Sequence, residues 1–161
     1  MLTPRNISPQ GVPMNGFEIK VVDFPAKQLM GIKVRTNMAK AKEDCPTLWQ
    51  NFCPQMPQIY GKESYGVSIM LNAQDFDYWA AVEADEQIPA GIETTAIPSG
   101  SYARCTVPNL ESIGAGYMFM YQTWLGGQQE WQLNEQAPCF ELYPADWNPS
   151  MPFDLFMPVK R

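Results

Sequence analysis

The run Cys139-Phe140-Glu141-Leu142-Tyr143 sets a single carboxylate inside an otherwise apolar, strand-like segment. Side chains alternate faces along a strand, so Phe140 and Leu142 share one face and Cys139, Glu141 and Tyr143 share the other. Phe140 and Leu142 are then the natural partners of a covering helix. Two readings of Glu141 follow: it faces solvent on a half-exposed strand, or it is a buried carboxylate, which is costly unless paired or neutralised. Aromatic residues make up 12% of the chain. Trp49, Phe52, Tyr65, Tyr78, Trp79, Tyr102, Tyr117, Tyr121, Trp124 and Tyr143 either fill the core or wall a cavity that holds a flat cation against Glu141. The ten methionines suit an adaptable lining and a plain core equally well.

Other chemistries are excluded by what the sequence lacks. It has no histidine, which removes Ser–His and Cys–His nucleophilic systems and every histidine metal site. Cys45, Cys53, Cys105 and Cys139 are far apart and form no Cys-x-x-Cys pair. They read as buried, reduced thiols of a cytoplasmic protein, and neither a metal nor a cofactor is expected. Gly114-Ala115-Gly116 lacks the third glycine of a nucleotide-binding loop and reads as a turn or helix start. The net charge is −6, eleven basic residues against seventeen acidic ones. Without a basic cluster, nucleic acid is not expected as a direct partner. The acidic surface attracts cations or simply keeps the protein soluble. Mean hydropathy is −0.27, no apolar run reaches the roughly 18 residues of a membrane span, and the N-terminus shows no signal-peptide core.

The 161 residues suit one domain. Residues 1–16, rich in Pro, Gly, Asn and Ser, read as a loose leader before a domain over 17–161. An internal echo organises that domain. Ile19-Lys20-Val21-Val22-Asp23-Phe24-Pro25-Ala26 aligns with Ile92-Glu93-Thr94-Thr95-Ala96-Ile97-Pro98-Ser99, 73 residues later. Both read as strands closed by a proline and a small residue at a hairpin turn, with second strands over 28–35 and 101–107. Leu48, Trp49, Phe52 and Cys53 then mark one helical face, with Pro46 in its first turn or kinking it. Ile113, Tyr117, Met120, Tyr121 and Trp124 mark another, which stops at Gly126-Gly127. The segments 65–71 and 138–144 echo each other at the same offset, and Phe76-Asp77-Tyr78-Trp79 answers Phe153-Asp154-Leu155-Phe156 at 77. The expected fold is α+β: a duplicated strand-strand-helix-strand-strand unit, an antiparallel sheet with helices on one face, and a ligand crevice at the pseudo-twofold seam.

These blocks resemble those of the gyrase-inhibitor-like (GyrI-like), AraC-type effector-binding family. The resemblance rests on Leu48-Trp49-Gln50-Asn51-Phe52 and Tyr65-Gly66-Val67, on Phe76-Asp77-Tyr78-Trp79-Ala80-Ala81-Val82-Glu83, and on Ile97-Pro98-Ser99-Gly100-Ser101-Tyr102-Ala103. Trp124-Leu125, Phe140-Glu141-Leu142-Tyr143 and the closing Phe156-Met157-Pro158-Val159 complete it. It runs in order from about residue 17 to 159 and implies a central pocket whose glutamate, Glu141, faces hydrophobic cations among aromatic rings. Ala80-Ala81 departs from the family's Ala-Gly and would narrow that wall. Family regulators carry a helix-turn-helix domain on the same chain, and no such block accompanies these. The resemblance implies a stand-alone module that binds a small organic cation, drug-like or xenobiotic; a link to a separate regulatory protein and the oligomeric state are left open. Two alternatives stay open with it: a metal-free hydrolase of cyclopropane-containing toxins using Glu141, and a protein–protein module that binds gyrase or another target.

Overall fold

Strand-forming segments rich in Val, Ile, Tyr and Phe alternate with short turns, and the computed structural model resolves them into one antiparallel sheet. Residues 17–55 and 61–161 are described; the expected leader, 1–16, lies outside them. The first half comprises β1 (Ile19–Phe24), β2 (Lys27–Asn37), α1 (Ala41–Gln55), β3 (Ser64–Met70) and β4 (Asp75–Glu83). The second begins with β5 (Glu93–Ile97) and β6 (Gly100–Val107). Its helix is composite: a 3-10 turn Leu110–Ser112, α2 Ile113–Met118, a π turn Phe119–Trp124 and a 3-10 turn Leu125–Gly127. The short β7 (Gln132–Leu133), β8 (Cys139–Tyr143) and β9 (Phe153–Lys160) complete the chain. Pro46 is the sixth residue of α1, past its first turn.

The strand order is β1-β6-β9-β8-β3-β4-β2-β5, with β7 beside β9. Apart from β7, it reads first, second, fourth, third from either edge, each half lending its first strand to the other. At the middle, β3 meets β8 with Val67 opposite Phe140, Gly66 opposite Glu141 and Ser68 opposite Cys139. Ser68 also faces Tyr78 on β4, as Glu141 faces Leu155 on β9. That the halves arose by duplication stays a proposal; the symmetry described here is one of arrangement.

Pro25-Ala26 and Pro98-Ser99 are not hairpin turns. β1 pairs with β6, Ile19 opposite Cys105 through Phe24 opposite Gly100. The same register carries on into β2 and β5, Lys27 opposite Ile97. The two Pro-containing links therefore lie at the middle of one long two-stranded ribbon. Proline has no N–H to give a ladder, so the pairing is interrupted there and the ribbon can bend.

The bend decides which face receives which cover. Phe24 and Tyr102 of the ribbon meet Phe140, with ring centroids 5.0 and 5.3 Å away, and Phe140 stacks on Phe156 at 4.6 Å. Leu29, Tyr65, Val67, Trp79, Ala81 and Ile97 belong to the same cluster, and Leu142 packs against it. The helices take the other face. Leu48 and Phe52 of α1 pack on Met30, Phe76, Tyr78, Ala80 and Val82. Met120 of the π turn joins Ala103, Cys105, Val107, Tyr143, Leu155 and Met157. Phe140 and Leu142 are thus not the helix partners that alternation alone had suggested. The ribbon fills their face, and Glu141 lies on the helix-covered side.

Candidate functional site

Glu141 is 5% exposed. Alternation puts it on the same face as Tyr143, whose hydroxyl donates to Oε1 at 2.6 Å. Tyr78, two strands away on β4, donates to the same oxygen at 2.8 Å. Tyr117 of α2 donates to Oε2 at 2.9 Å. Trp49 of α1 donates its indole N–H to the Tyr78 hydroxyl at 3.0 Å, and its ring meets Tyr143 edge-on at 5.7 Å. Two strands and both helices therefore converge on one carboxylate.

Gly66 makes this convergence possible. It faces Glu141 across the β3–β8 ladder, and a β-carbon there would overlap both the Tyr78 hydroxyl and Glu141 Oε1. A glycine within a strand often marks such a close approach. One row further on, Cys139 lies opposite Ser68, and the side chains of Tyr121 in the π turn and of Ser68 favour its thiolate. The floor of the seam is thus small and polar, while its roof is aromatic.

Burial pushes the Glu141 carboxyl above its ordinary value, and the hydroxyls of Tyr143, Tyr78 and Tyr117 pull the other way by favouring the anion. Burial and the nearby carboxylate keep all three tyrosines protonated, so each remains a donor. Burial also holds the Cys139 thiol up at about 11 and the Cys45 thiol at about 12, the latter raised further by Glu141 and Asp44. The ion pairs among the described residues are Lys27–Glu83, Arg35–Asp77, Lys62–Asp85 and Glu130–Arg161, none involving Glu141. Its charge is met by hydroxyl dipoles alone.

Of the residues singled out in the sequence, Trp49, Tyr78, Tyr117 and Tyr143 join Glu141 in this network. Phe52 is fully buried and sits edge-on to Trp49 at 5.9 Å. Trp124, half-buried at the end of the π turn, packs on the cluster beneath the second helix. The structure does not bring Tyr65 and Tyr102 to the carboxylate. Tyr65 neighbours Gly66 and therefore points to the ribbon-covered face, and Tyr102 lies there too, its hydroxyl donating to the Pro98 carbonyl at 2.7 Å. Tyr121, one of the candidate wall aromatics, and Cys139, on the Glu141 face by alternation, lie beside the network, whereas Gly66 and Ser68 are parts of the site that the sequence reading does not single out. The i, i+2 spacing of Ser68 from Gly66 and of Cys139 from Glu141 was the available signal.

The Glu141 carboxylate is buried, while Trp49, Tyr117, Tyr121 and Cys139 on the same side of the sheet are half-buried. Two surface hollows lie elsewhere, one along 85–89 and one lined by Glu63, Thr106, Leu142, Pro144, Pro152, Phe153 and Asp154; neither touches Glu141. Among the described residues no cluster of His, Cys, Asp or Glu is placed to hold a metal, and no helix is long and apolar enough to cross a membrane.

The antiparallel sheet with its two covering helices has relatives. Residues 17–160 match the sequence pattern of the GyrI-like small molecule binding domain. The chain belongs to the GyrI-like family. A search of curated proteins finds no match. Among solved structures, this GyrI-like domain is similar to an integron cassette protein from the mobile metagenome of Vibrio cholerae, with a TM-score of 0.70 and 15% identity over 88% of this chain and 95% of that one. The protein SAV2435, solved bound to tetraphenylphosphonium, gives a TM-score of 0.70 and 22% identity over 89% and 94%. A putative transcription regulation protein from Staphylococcus aureus gives 0.62 and 22% over 89% and 99%. At these identities the likeness is one of fold.

Proposed function

We propose that this GyrI-like domain binds hydrophobic organic cations, drug-like or xenobiotic, at the β3–β8 seam, with Glu141 as their counter-charge. One observation carries the reading: a 5% exposed carboxylate whose hydrogen-bond partners are neutral hydroxyls, with no ammonium or guanidinium in an ion pair with it among the described residues. Such a group stabilises little in the empty protein and much in a complex that brings the missing positive charge. Trp49, Tyr78, Tyr117 and Tyr143 supply aromatic faces and edges for the cation's apolar body. The tetraphenylphosphonium held by the similar protein SAV2435 is a ligand of this type.

Because the carboxylate is 5% exposed, a ligand reaches it by displacing a cover. The second helix is the element that yields: it changes from 3-10 to α to π winding within eighteen residues, and π turns, rare in general, are frequent at functional sites. We take the domain as a cytoplasmic receptor or sequestering module that serves a drug response, directly or through a separate regulator. The raised thiol pKa values fit reduced, inert cysteines in such a compartment.

The test compares a rhodamine-like cation with a neutral aromatic of similar size by fluorescence titration. Removing one side of a buried charge pair typically costs about 2 to 5 kcal/mol, or about thirty- to several-thousand-fold in affinity. Glu141→Gln should weaken the cation by that factor and leave the neutral compound within about twofold. Equal weakening of both, or of neither, sinks the assignment.

A further inference from the structure

The two oxygens of Glu141 are not equivalent. Oε1 accepts from Tyr78 and Tyr143, both carried by strands inside the sheet and 3% and 6% exposed. Tyr78 is fixed again by the Trp49 indole. A carboxylate oxygen has two lone pairs, so Oε1 is saturated by the rigid part of the fold. Among the described residues Oε2 accepts only the Tyr117 hydroxyl, from a six-residue α turn that runs straight into the π turn. One of its lone pairs is therefore free of side-chain donors from the described residues, and the other is held by the second helix. The strands form the floor beneath the carboxylate, so a ligand arriving from the helix side meets Oε2.

We propose that the site selects cations that carry an N–H donor, protonated secondary or tertiary amines, over quaternary ammonium or phosphonium ions of matched size. This rests on the reading of Glu141 as the ligand's counter-charge. A ligand that turns the Tyr117 hydroxyl away, its ring still lining the site, strips Oε2 of that donor in a place that water reaches poorly. An ammonium N–H replaces that hydrogen bond and brings the charge with it. A quaternary cation brings the charge alone and leaves a buried acceptor unpaired, which is the expensive outcome. Donor-less cations still bind, but with the weaker of the two affinities. Tyr117 is, in this account, a stand-in for the ligand's donor, and its hydroxyl competes with both ligand classes alike.

The experiment uses one naphthalene fluorophore carrying either a dimethylaminoalkyl or a trimethylammonioalkyl arm, titrated at about pH 8, where a tertiary amine of Lys-like basicity is still protonated. The tertiary compound should bind wild type about tenfold or more tighter, the size expected for a hydrogen bond to a charged group. In Glu141→Gln both should weaken and the gap should narrow. In Tyr117→Phe both should tighten by a similar factor, leaving the gap as it was. If the quaternary compound binds wild type as tightly as the tertiary one while Glu141→Gln weakens both, the donor preference is refuted and the cation site stands. If Glu141→Gln weakens neither, both readings fall. If Tyr117→Phe weakens the tertiary compound selectively, Tyr117 stays in contact with the bound amine and its role as the displaced surrogate is overturned.

Discussion

Gly66→Ala is the smallest change that should disturb the whole site. The added methyl would overlap the Tyr78 hydroxyl and Glu141 Oε1 at once. Neither neighbour can yield cheaply: Tyr78 is 3% exposed and bonded to Trp49, and Glu141 is bonded to three tyrosines. Forcing an extra methyl into a packed interior costs about 1 to 3 kcal/mol. Loosening the Tyr78–Glu141 bond adds a further share of the roughly 1.5 to 3 kcal/mol such charge-assisted bonds carry. A loss of about 2 to 5 kcal/mol follows, partly offset by the better strand-forming character of alanine, worth about 0.5 to 1 kcal/mol. For a domain of this size each kcal/mol moves the melting temperature by about 2 to 4 °C, so a fall of roughly 5 to 15 °C is expected. Circular dichroism melts read this directly, and dye titration reports the site. Gly114→Ala is the control: it lies in α2 with nothing within 4 Å of an added β-carbon. There alanine should stabilise by up to about 1 kcal/mol through helix propensity. If Gly66→Ala also raised the melting temperature and bound the cationic dye as wild type does, the packed contact at the seam would be disproved.

Stability should depend on pH through Glu141. Its folded pKa is raised above the ordinary 4.5, so its contribution is fully present below that unfolded value and is lost as pH rises through the folded one. Melts across that window should show Glu141→Gln as the more stable protein near neutrality, with the gap closing as pH falls towards about 4.5; a gap that widens on acidification would contradict the assigned direction. The four thiols, expected to be buried, are buried at Cys105 and only half-buried at Cys45, Cys53 and Cys139, and they offer an independent check on their surroundings. Cys45 is pushed up to about 12, Cys105 and Cys139 to about 11, and Cys53 is raised as well. At neutral pH iodoacetamide should label the native protein far more slowly than the unfolded chain, as read by mass spectrometry; stoichiometric labelling of native Cys45 within minutes would mean that its surroundings are open.

Much of the element order was legible because each segment carried its own signal: periodicity in the two helices, alternation in Cys139 to Tyr143, and the paired Pro-small steps at Pro25 and Pro98. Glu141 could be singled out because a carboxylate among Cys, Phe, Leu and Tyr needs a reason to be there. What the sequence does not encode locally is which face of a strand meets which layer. Alternation separated Phe140 from Glu141 correctly, yet both faces of β8 are apolar enough to be covered. Only the long β1–β2 and β5–β6 ribbon, closed over Phe140 by Phe24 and Tyr102, settles that the helices lie above Glu141. The same non-local fact removes Tyr65 and Tyr102 from the carboxylate and makes Gly66, the neighbour of Tyr65, a part of the site. The short links at Pro25 and Pro98 have the length and composition of turns. Their role as the midpoint of a ribbon depends on pairing between residues about 75 positions apart.

The location of the site follows from a symmetric frame in which the side chains break the symmetry. Val67 and Phe140 lie opposite each other at the centre of the sheet, and the pairs on either side, Gly66 with Glu141 and Ser68 with Cys139, hold equivalent places. Had both places carried a carboxylate on the helix-covered face, two like charges would have shared one poorly hydrated seam, and one of them would have been driven neutral. Had both carried small neutral residues, nothing in the seam would attract a cation. One glutamate beside one glycine gives a single charge with room to lean across β3 towards Tyr78, while Ser68 and Cys139 keep the other place polar and uncharged. Tyr78 of the first half and Tyr117 and Tyr143 of the second then reach the same carboxylate from three directions. The seam therefore has one electrostatic pole, held firmly by the strands on one oxygen and exchangeably by the second helix on the other.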